Sequence, residues 1–495
     1  MQRAFVPVMV VVLFAPCACD NGDVVYLPED DGGADSALAS DGSKFDGALD
    51  ATGASDGSAL DGLGDGGGDA TAAIDGAMLD AVAGDSAADT TPSDSSIEAA
   101  DVSSPPVDGE AGLSDAEAGG SIASRLLLSY NGTTNSELVA FDVASGTVAG
   151  RLEYPGFIGT SYVGAGEPWL LEQFRDVVAE LDPTQPWLVR GSWNVALTDA
   201  VDGGSSYSDP VAAIVGTATK AYVLRYTRNE IAVIDTSHGA DAALPIGSID
   251  LSGLVQAGGD GTVEMTAGVY DPGRERVYVL LANINRTLVA SDGYTLLCSN
   301  THPTVVAIDV TSDSIVDLNG PADGVAIALQ GFNPAWGQGA LVYDSTADRL
   351  LVLHAGCNGV AEGGAAGALQ NRGVEEVSLF AATTTMLLDL DDEAYPQGLV
   401  YVDAHHAFVQ LDTVYTWDPT IPTLGVPVPN APQAYDWDGN GNLVGVAPRN
   451  GSDGGPVGWD VVSVRVSDGM VTKLGADPFS LTGGFLSGAQ LWPRP

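Results

Sequence analysis

Apolar residues along this chain fall in short runs broken by turn residues, and the clearest set lies between residues 219 and 251. Ala221–Tyr226 is apolar, with β-branched and aromatic members, Thr227-Arg228-Asn229 is polar, and Ile231–Ile234 is a second run closed by Asp235. Two β-prone runs around a tight polar turn predict a hairpin, and residues 246–251 supply a third strand beside it.

The same pattern recurs along the chain. LLLSY, ELVAFDV and TVAGRLEY follow Ala123, separated by NGTTNS and ASG turns, and WLLEQ, VVAELD and WLVRGSW follow between residues 158 and 195. Later copies are RVYVLLANI with TVVAIDV, then ALVYD, RLLVLHAG and VEEVSLFAA, then GLVYVD, AFVQLD and VYTWD, and last QAYDWDGNGNLVGVAP with WDVVSVRVSDGMVTKL. The third strand of each copy falls near Phe141, Leu181, Ile234, Ile308, Phe380, Trp417 and Val466, which gives seven units about 40 to 50 residues apart. In the best copy, Tyr222-Val223, Asn229, Ile231–Thr236 and Gly247-Ser248-Ile249 resemble the YVTN-type β-propeller repeat, in which each copy is one four-stranded blade. The resemblance implies an all-β fold, a seven-bladed propeller over residues 123–495. Its first unit shows three strands, and the solitary SLTGGFLSGAQLW after the seventh is expected to add the missing inner strand and close the ring, leaving no free sheet edge. No stretch carries helical periodicity; the glycines of GVAEGGAAGALQ argue for a loop.

The residues before 123 read differently. Met1-Gln2-Arg3 and AFVPVMVVVLFA form a basic start and an apolar stretch too short to span a bilayer, a secretory signal over residues 1–18. Ala18-Cys19 resembles the cleavage and lipid-attachment site of bacterial lipoproteins, although Pro16 and Cys17 depart from that pattern; the alternative is an ordinary signal peptide with Cys19 left as a free thiol. Residues 19–122 are Asp, Ala, Gly and Ser with Lys44 as the one basic residue, so no apolar face offsets the entropy of ordering them. A disordered acidic linker is expected there, its repeated Asp41, Asp46, Asp50, Asp56, Asp61, Asp65 and Asp69 repelling one another. No fixed period supports a calcium-binding repeat array. The expected location is the bacterial cell envelope, with the domain tethered to a membrane. A net charge of −48 excludes nucleic acid as a partner, since phosphate binding needs a basic face.

Loop length points to a face. In a meander labelled A to D from the axis outward, B-to-C turns and D-to-A connections emerge on one side. The long connections 284–303, 355–373 and 447–459 (B-to-C) and 319–338 (D-to-A) all fall there, and long loops mark a binding surface, for a protein or glycan ligand. Cys298 and Cys357 lie in two of these loops, in adjacent blades, and an exported pair is expected to form a disulfide. The alternative is zinc held by Cys298, His302, His354 and Cys357. Asp436, Asp438 and Asn440 resemble half a calcium loop, but the twelfth position is Ala447, and the same DGNGN string suits a tight A-to-B hairpin. His405 and His406 adjoin a strand, which predicts side chains on opposite faces, one packed and one exposed.

No nucleophile elbow, phosphate loop or zincin helix occurs. The expected role is a lipid-anchored, monomeric envelope propeller that binds or scaffolds, with no cofactor and no catalytic residue assigned. The alternative is a lactonase- or hydrolase-like propeller with an axial divalent metal held by inner-strand carboxylates.

Overall fold

The computed structural model describes residues 124–493, apart from 133–134, 156–160, 164–167, 197–206, 238–242, 293–294, 321–323, 336–338, 362–365, 451–455 and 482–483. The signal segment, Cys19 and the acidic linker lie outside the described residues. Among the described residues seven blades follow one another round the ring, each with a four-stranded antiparallel path; in blade 4 Ile327–Ala328 also pairs with Thr304–Asp309, and one further sheet is two-stranded. Blades 2, 3 and 4 have inner A strands Ser161–Val163, Pro210–Thr217 and Met265–Asp271; blades 5, 6 and 7 have Leu341–Asp344, Gly398–Asp403 and Ala434–Trp437. Blade 1 takes its A strand from the other end of the chain: Phe485–Trp492 pairs with Arg125–Asn131, from Arg125↔Trp492 to Asn131↔Phe485. The ring is closed as the strand pattern predicts.

The runs are continuously apolar because each blade is covered on both faces. Alternate residues of a strand point to opposite sides, so Leu126 and Leu128 pack with Val444 and Val461 of blade 7, while Leu127 packs with Leu170 and Leu181 of blade 2. The same division repeats round the ring. Tyr222 and Val233 of blade 3 meet Val277 and Ile308 of blade 4, whereas Val223 and Ile234 of the same strands meet Trp169 and Trp193 of blade 2. Among the described residues every junction between neighbouring blades has its own buried cluster, including the junction of blade 7 with blade 1.

Aspartates end many strands and shape the turns. Asp235 Oδ1 accepts the N–H and hydroxyl of Ser237, Asp309 Oδ1 does the same for Ser312, and Asp142 Oδ1 accepts Ser145 N–H. These are Asx-type turns, in which a short carboxylate satisfies backbone donors the sheet cannot reach. The DGNGN string is one of them: Asp438 Oδ1 accepts the N–H groups of Asn440 and Asn442, with Gly439 and Gly441 at φ 74° and 91°. It forms the A-to-B hairpin of blade 7, and Asp436 is occupied at its Oδ2 by Leu491 N–H.

Two expectations about loops need correction. Residues 447–459 are an extension of the hairpin, with strand B of blade 7 running over Asn442–Asn450 and strand C over Pro456–Arg465, paired through Ala447↔Asp460 and Pro448↔Trp459. GVAEGGAAGALQ likewise contributes to a two-stranded hairpin, Cys357–Val360 with Ala366–Gln370, because glycine weakens a strand without forbidding it. The helical turns among the described residues are 3-10 turns at Gln173–Arg175 and Ser252–Leu254.

Candidate binding face

The long insertions of blades 4 and 5 meet on the side where B-to-C and D-to-A connections emerge. Cys298 and Cys357 form a disulfide with Cα atoms 5.0 Å apart, joining the two loops. Backbone bonds extend the junction: Cys298 N–H donates to Asn358 O at 2.9 Å and Asn358 N–H donates to Leu296 O at 3.2 Å. Beneath it Ala282, Ile284, Phe332 and Cys357 make a small separate core, with Leu296 and Cys298 packed against it. Phe332 comes from the connection into blade 5 and donates its N–H to Asn371 O. Three insertions thus share one cross-linked platform.

With both sulfurs in the bridge, the Cys298/His302/His354/Cys357 set does not assemble. His354 ends strand B of blade 5, is fully buried, and places Nε2 3.0 Å from Glu375 Oε2. His302 is exposed, and its backbone N–H and C=O exchange bonds with the Gln256 side chain. Among the described residues no group of three or more His, Cys, Asp or Glu side chains is placed to hold a metal ion. The inner-strand carboxylates have local partners instead: Asp271 pairs with Arg274 at 2.9 Å, and Asp344 pairs with Arg349 at 3.0 Å and accepts Tyr401 O–H at 2.5 Å.

At the axial edge of the platform stands a buried acid cluster. Asp260, Thr262 and Glu264 alternate just before strand A of blade 4, so all three reach the base of the 284–303 insertion. Asp260 Oδ2 accepts Arg286 N–H at 3.1 Å and Nε–H at 3.0 Å, Glu264 Oε2 accepts Ile284 N–H at 3.0 Å, and Thr262 Oγ1 donates to Glu264 Oε1 at 2.5 Å. Arg286 also stacks over Tyr226 of blade 3, 5.4 Å from the ring centroid. Burial, followed by the neighbouring Asp260 charge, pushes the Glu264 carboxyl well above the usual range. Glu375, equally enclosed, behaves in the opposite sense. Burial raises it, but the His354 hydrogen bond and charge and the N–H groups of Gly331 and Gln330 outweigh burial and hold it below the usual range.

The sequence reading missed the Asp260–Thr262–Glu264 cluster because GGDGTVE looks like an ordinary turn; the period-two acids just before an inner strand were the available signal. It also misplaced the histidine pair. His405 lies in the A-to-B turn of blade 6 and His406 opens strand B opposite Asp403, so the turn brings both imidazoles to one cavity, both exposed. Alternation applies within a strand, and His405 is outside it. This cavity lies on the opposite side of the ring, where A-to-B and C-to-D turns emerge.

No family model matches the sequence, and no curated protein matches it. Solved structures do. The hydrazine synthase of Kuenenia stuttgartiensis is 14% identical over 68% of this chain and 88% of that one, with a TM-score of 0.42. The periplasmic gluconolactonase of Pseudomonas aeruginosa is 13% identical over 75% and 99%, with a TM-score of 0.42. AztD of Citrobacter koseri is 12% identical over 74% and 98%, with a TM-score of 0.39. At these identities the likeness concerns the fold.

Proposed function

We propose that this chain is a cell-envelope binding module whose ligand is a protein or glycan partner seated on the platform of blades 4 and 5. The observation that carries the reading is the convergence of three insertions, two of them joined by Cys298–Cys357 and the third packed against them through Phe332. A propeller does not need these loops to close, since its seven junctions have their own cores, and a preorganised surface loses less entropy on binding than free loops would. Val360, 68% exposed on the hairpin beside the bridge, supplies an apolar contact there. Tethering through acylated Cys19, with residues 19–122 as a flexible spacer, would hold this face away from the bilayer.

A photo-crosslinking amino acid at Val360, compared with one at the outer-strand Val426, tests the reading in intact cells. The expected result is a discrete cross-linked species from position 360 alone, lost when Cys298 and Cys357 are both Ser. Equal labelling from both positions would overturn it. The anchor has its own test: Cys19→Ala should release the protein from the membrane fraction or leave it unprocessed, and a variant that is cleaved normally and stays membrane-bound rules the anchor out. Hydrolysis of glucono-1,5-lactone by the purified protein, sensitive to a chelator, would favour the lactonase alternative.

A further inference from the structure

The cavity of about 560 Å³ on the A-to-B/C-to-D side, between blades 6 and 7, is not used by the reading above. Its size is that of a small-molecule site. The A-to-B turn of blade 6 contributes Asp403, His405 and His406, the C-to-D turn contributes Asp418, and blade 7 contributes Trp437. Phe408 and Trp437 form the apolar floor with ring centroids 5.4 Å apart; Phe408 is buried, whereas Trp437 is half-buried and keeps part of its indole open. Around this floor the polar groups come in pairs. His406 Nδ1 lies 2.8 Å from Asp403 Oδ1, and His405 Nδ1 lies 3.5 Å from Asp418 Oδ1. His406 thus spends Nδ1 on Asp403, and His405 Nδ1 stands within ion-pair reach of Asp418, which directs the Nε2 of each toward another partner.

We propose that this cavity binds a neutral saccharide ring. A pyranose has a face of C–H groups, weakly positive and apolar, that matches the negative face of an indole, and a rim of hydroxyls that both donate and accept. The cavity offers both kinds of partner: the half-buried Trp437 indole in its lining, and carboxylate acceptors and imidazole nitrogens around it. An anion would meet two carboxylates, and backbone N–H groups of His405 and Thr420 hold these below the usual range, so they stay charged. A wholly apolar guest would strip water from that rim without replacing its hydrogen bonds. A metal ion would need a third ligand brought to the same point, and no such group is placed here among the described residues.

The test uses the full-length protein, with cellobiose, maltose, lactose and N,N′-diacetylchitobiose as probes in calorimetric titration and saturation-transfer NMR, and tetramethylammonium as the organic-cation control. The expected result is saturable binding of at least one disaccharide with Kd of about 1 mM or tighter. His405→Ala, at an exposed position, and Asp418→Asn, at a half-buried one where the amide oxygen still accepts the Thr420 turn donors, should each weaken it about tenfold, the effect of one lost charge-assisted hydrogen bond. Val360→Ser on the opposite side should leave it unchanged, which separates this proposal from the platform reading. Absence of saturable binding by all four disaccharides overturns it, as does binding that both cavity variants leave intact or that tetramethylammonium displaces.

Discussion

Three glutamates show how burial alone does not decide a side chain's role. Glu137, Glu264 and Glu375 are all fully enclosed. Glu137 accepts the N–H groups of Ser480 and Leu481 at 2.7 and 3.0 Å and the Ser480 hydroxyl at 2.8 Å, fastening the connection that leads into the closing strand. Glu137→Ala strands these donors in the interior, and thermal unfolding should show a loss of about 3 kcal/mol. Glu264 is predicted to act on pH dependence instead. Its folded pKa is raised, so above about 4.3 the unfolded chain loses a proton that the fold retains, and stability falls as pH rises toward the raised value. Gln mimics the neutral acid. Glu264→Gln should therefore match or exceed the parent in Tm at pH 8 and show a flatter slope between pH 5 and 8; an unchanged slope would mean that Glu264 is ionised in the fold.

At the level of elements, the disulfide orders loops that the blades alone would leave free. Replacing Cys298 and Cys357 together by Ser removes a cross-link across 59 positions, a chain-entropy effect of up to about 4 kcal/mol. The loss should be local: limited proteolysis is expected to cut within 284–303 and 355–373 while the blades stay intact, and cuts spread over the whole domain would contradict this. The blades were legible in the sequence because strand, Asp-closed turn and strand recur, as Ile234-Asp235 and Ile308-Asp309 illustrate. The bridge was legible from loop placement together with the expectation of export. What was not legible turned on tertiary context. Pro448 and the nearby glycines made residues 447–459 look like a loop, yet Pro448 lies in the part of the hairpin that extends into the B-to-C turn, where a missing donor is tolerated. The blade 6/7 cavity could not be foreseen, since Asp418 and Trp437 reach the histidines only through the junction of two blades.

For the whole molecule, acid should be the sensitive direction. Asp142, Asp182, Asp309 and Asp418 all have pKa values held low by the turn donors they accept, Ser145, Thr184, Ser312 and Thr420 in turn. Their contribution is complete above the unfolded aspartate value of about 3.9 and disappears as pH falls through the lower folded values. Circular dichroism should show Tm dropping below about pH 4, a fall separate from the Glu264 slope at higher pH, and a Tm that holds through pH 2 would remove these turns from the account. Deleting residues 485–495 should expose the inner edge of blade 1 and increase aggregation in sedimentation relative to the full chain, because an unpaired inner strand recruits other chains.

That closure also sets a timetable for assembly. Ser487 Oγ donates to Ser129 O across 358 positions of sequence, so blade 1 stays a three-stranded fragment while blades 2 to 7 form from neighbouring segments. Each of those six is built from strands that follow one another, whereas the first must wait for a partner made long after it. A nascent chain therefore carries Arg125–Asn131 with one side open throughout most of its synthesis. The cell must keep that edge apart from its neighbours until Phe485–Trp492 arrives, and a chain that ends just short of residue 485 has its six later blades in place and its seam unsealed.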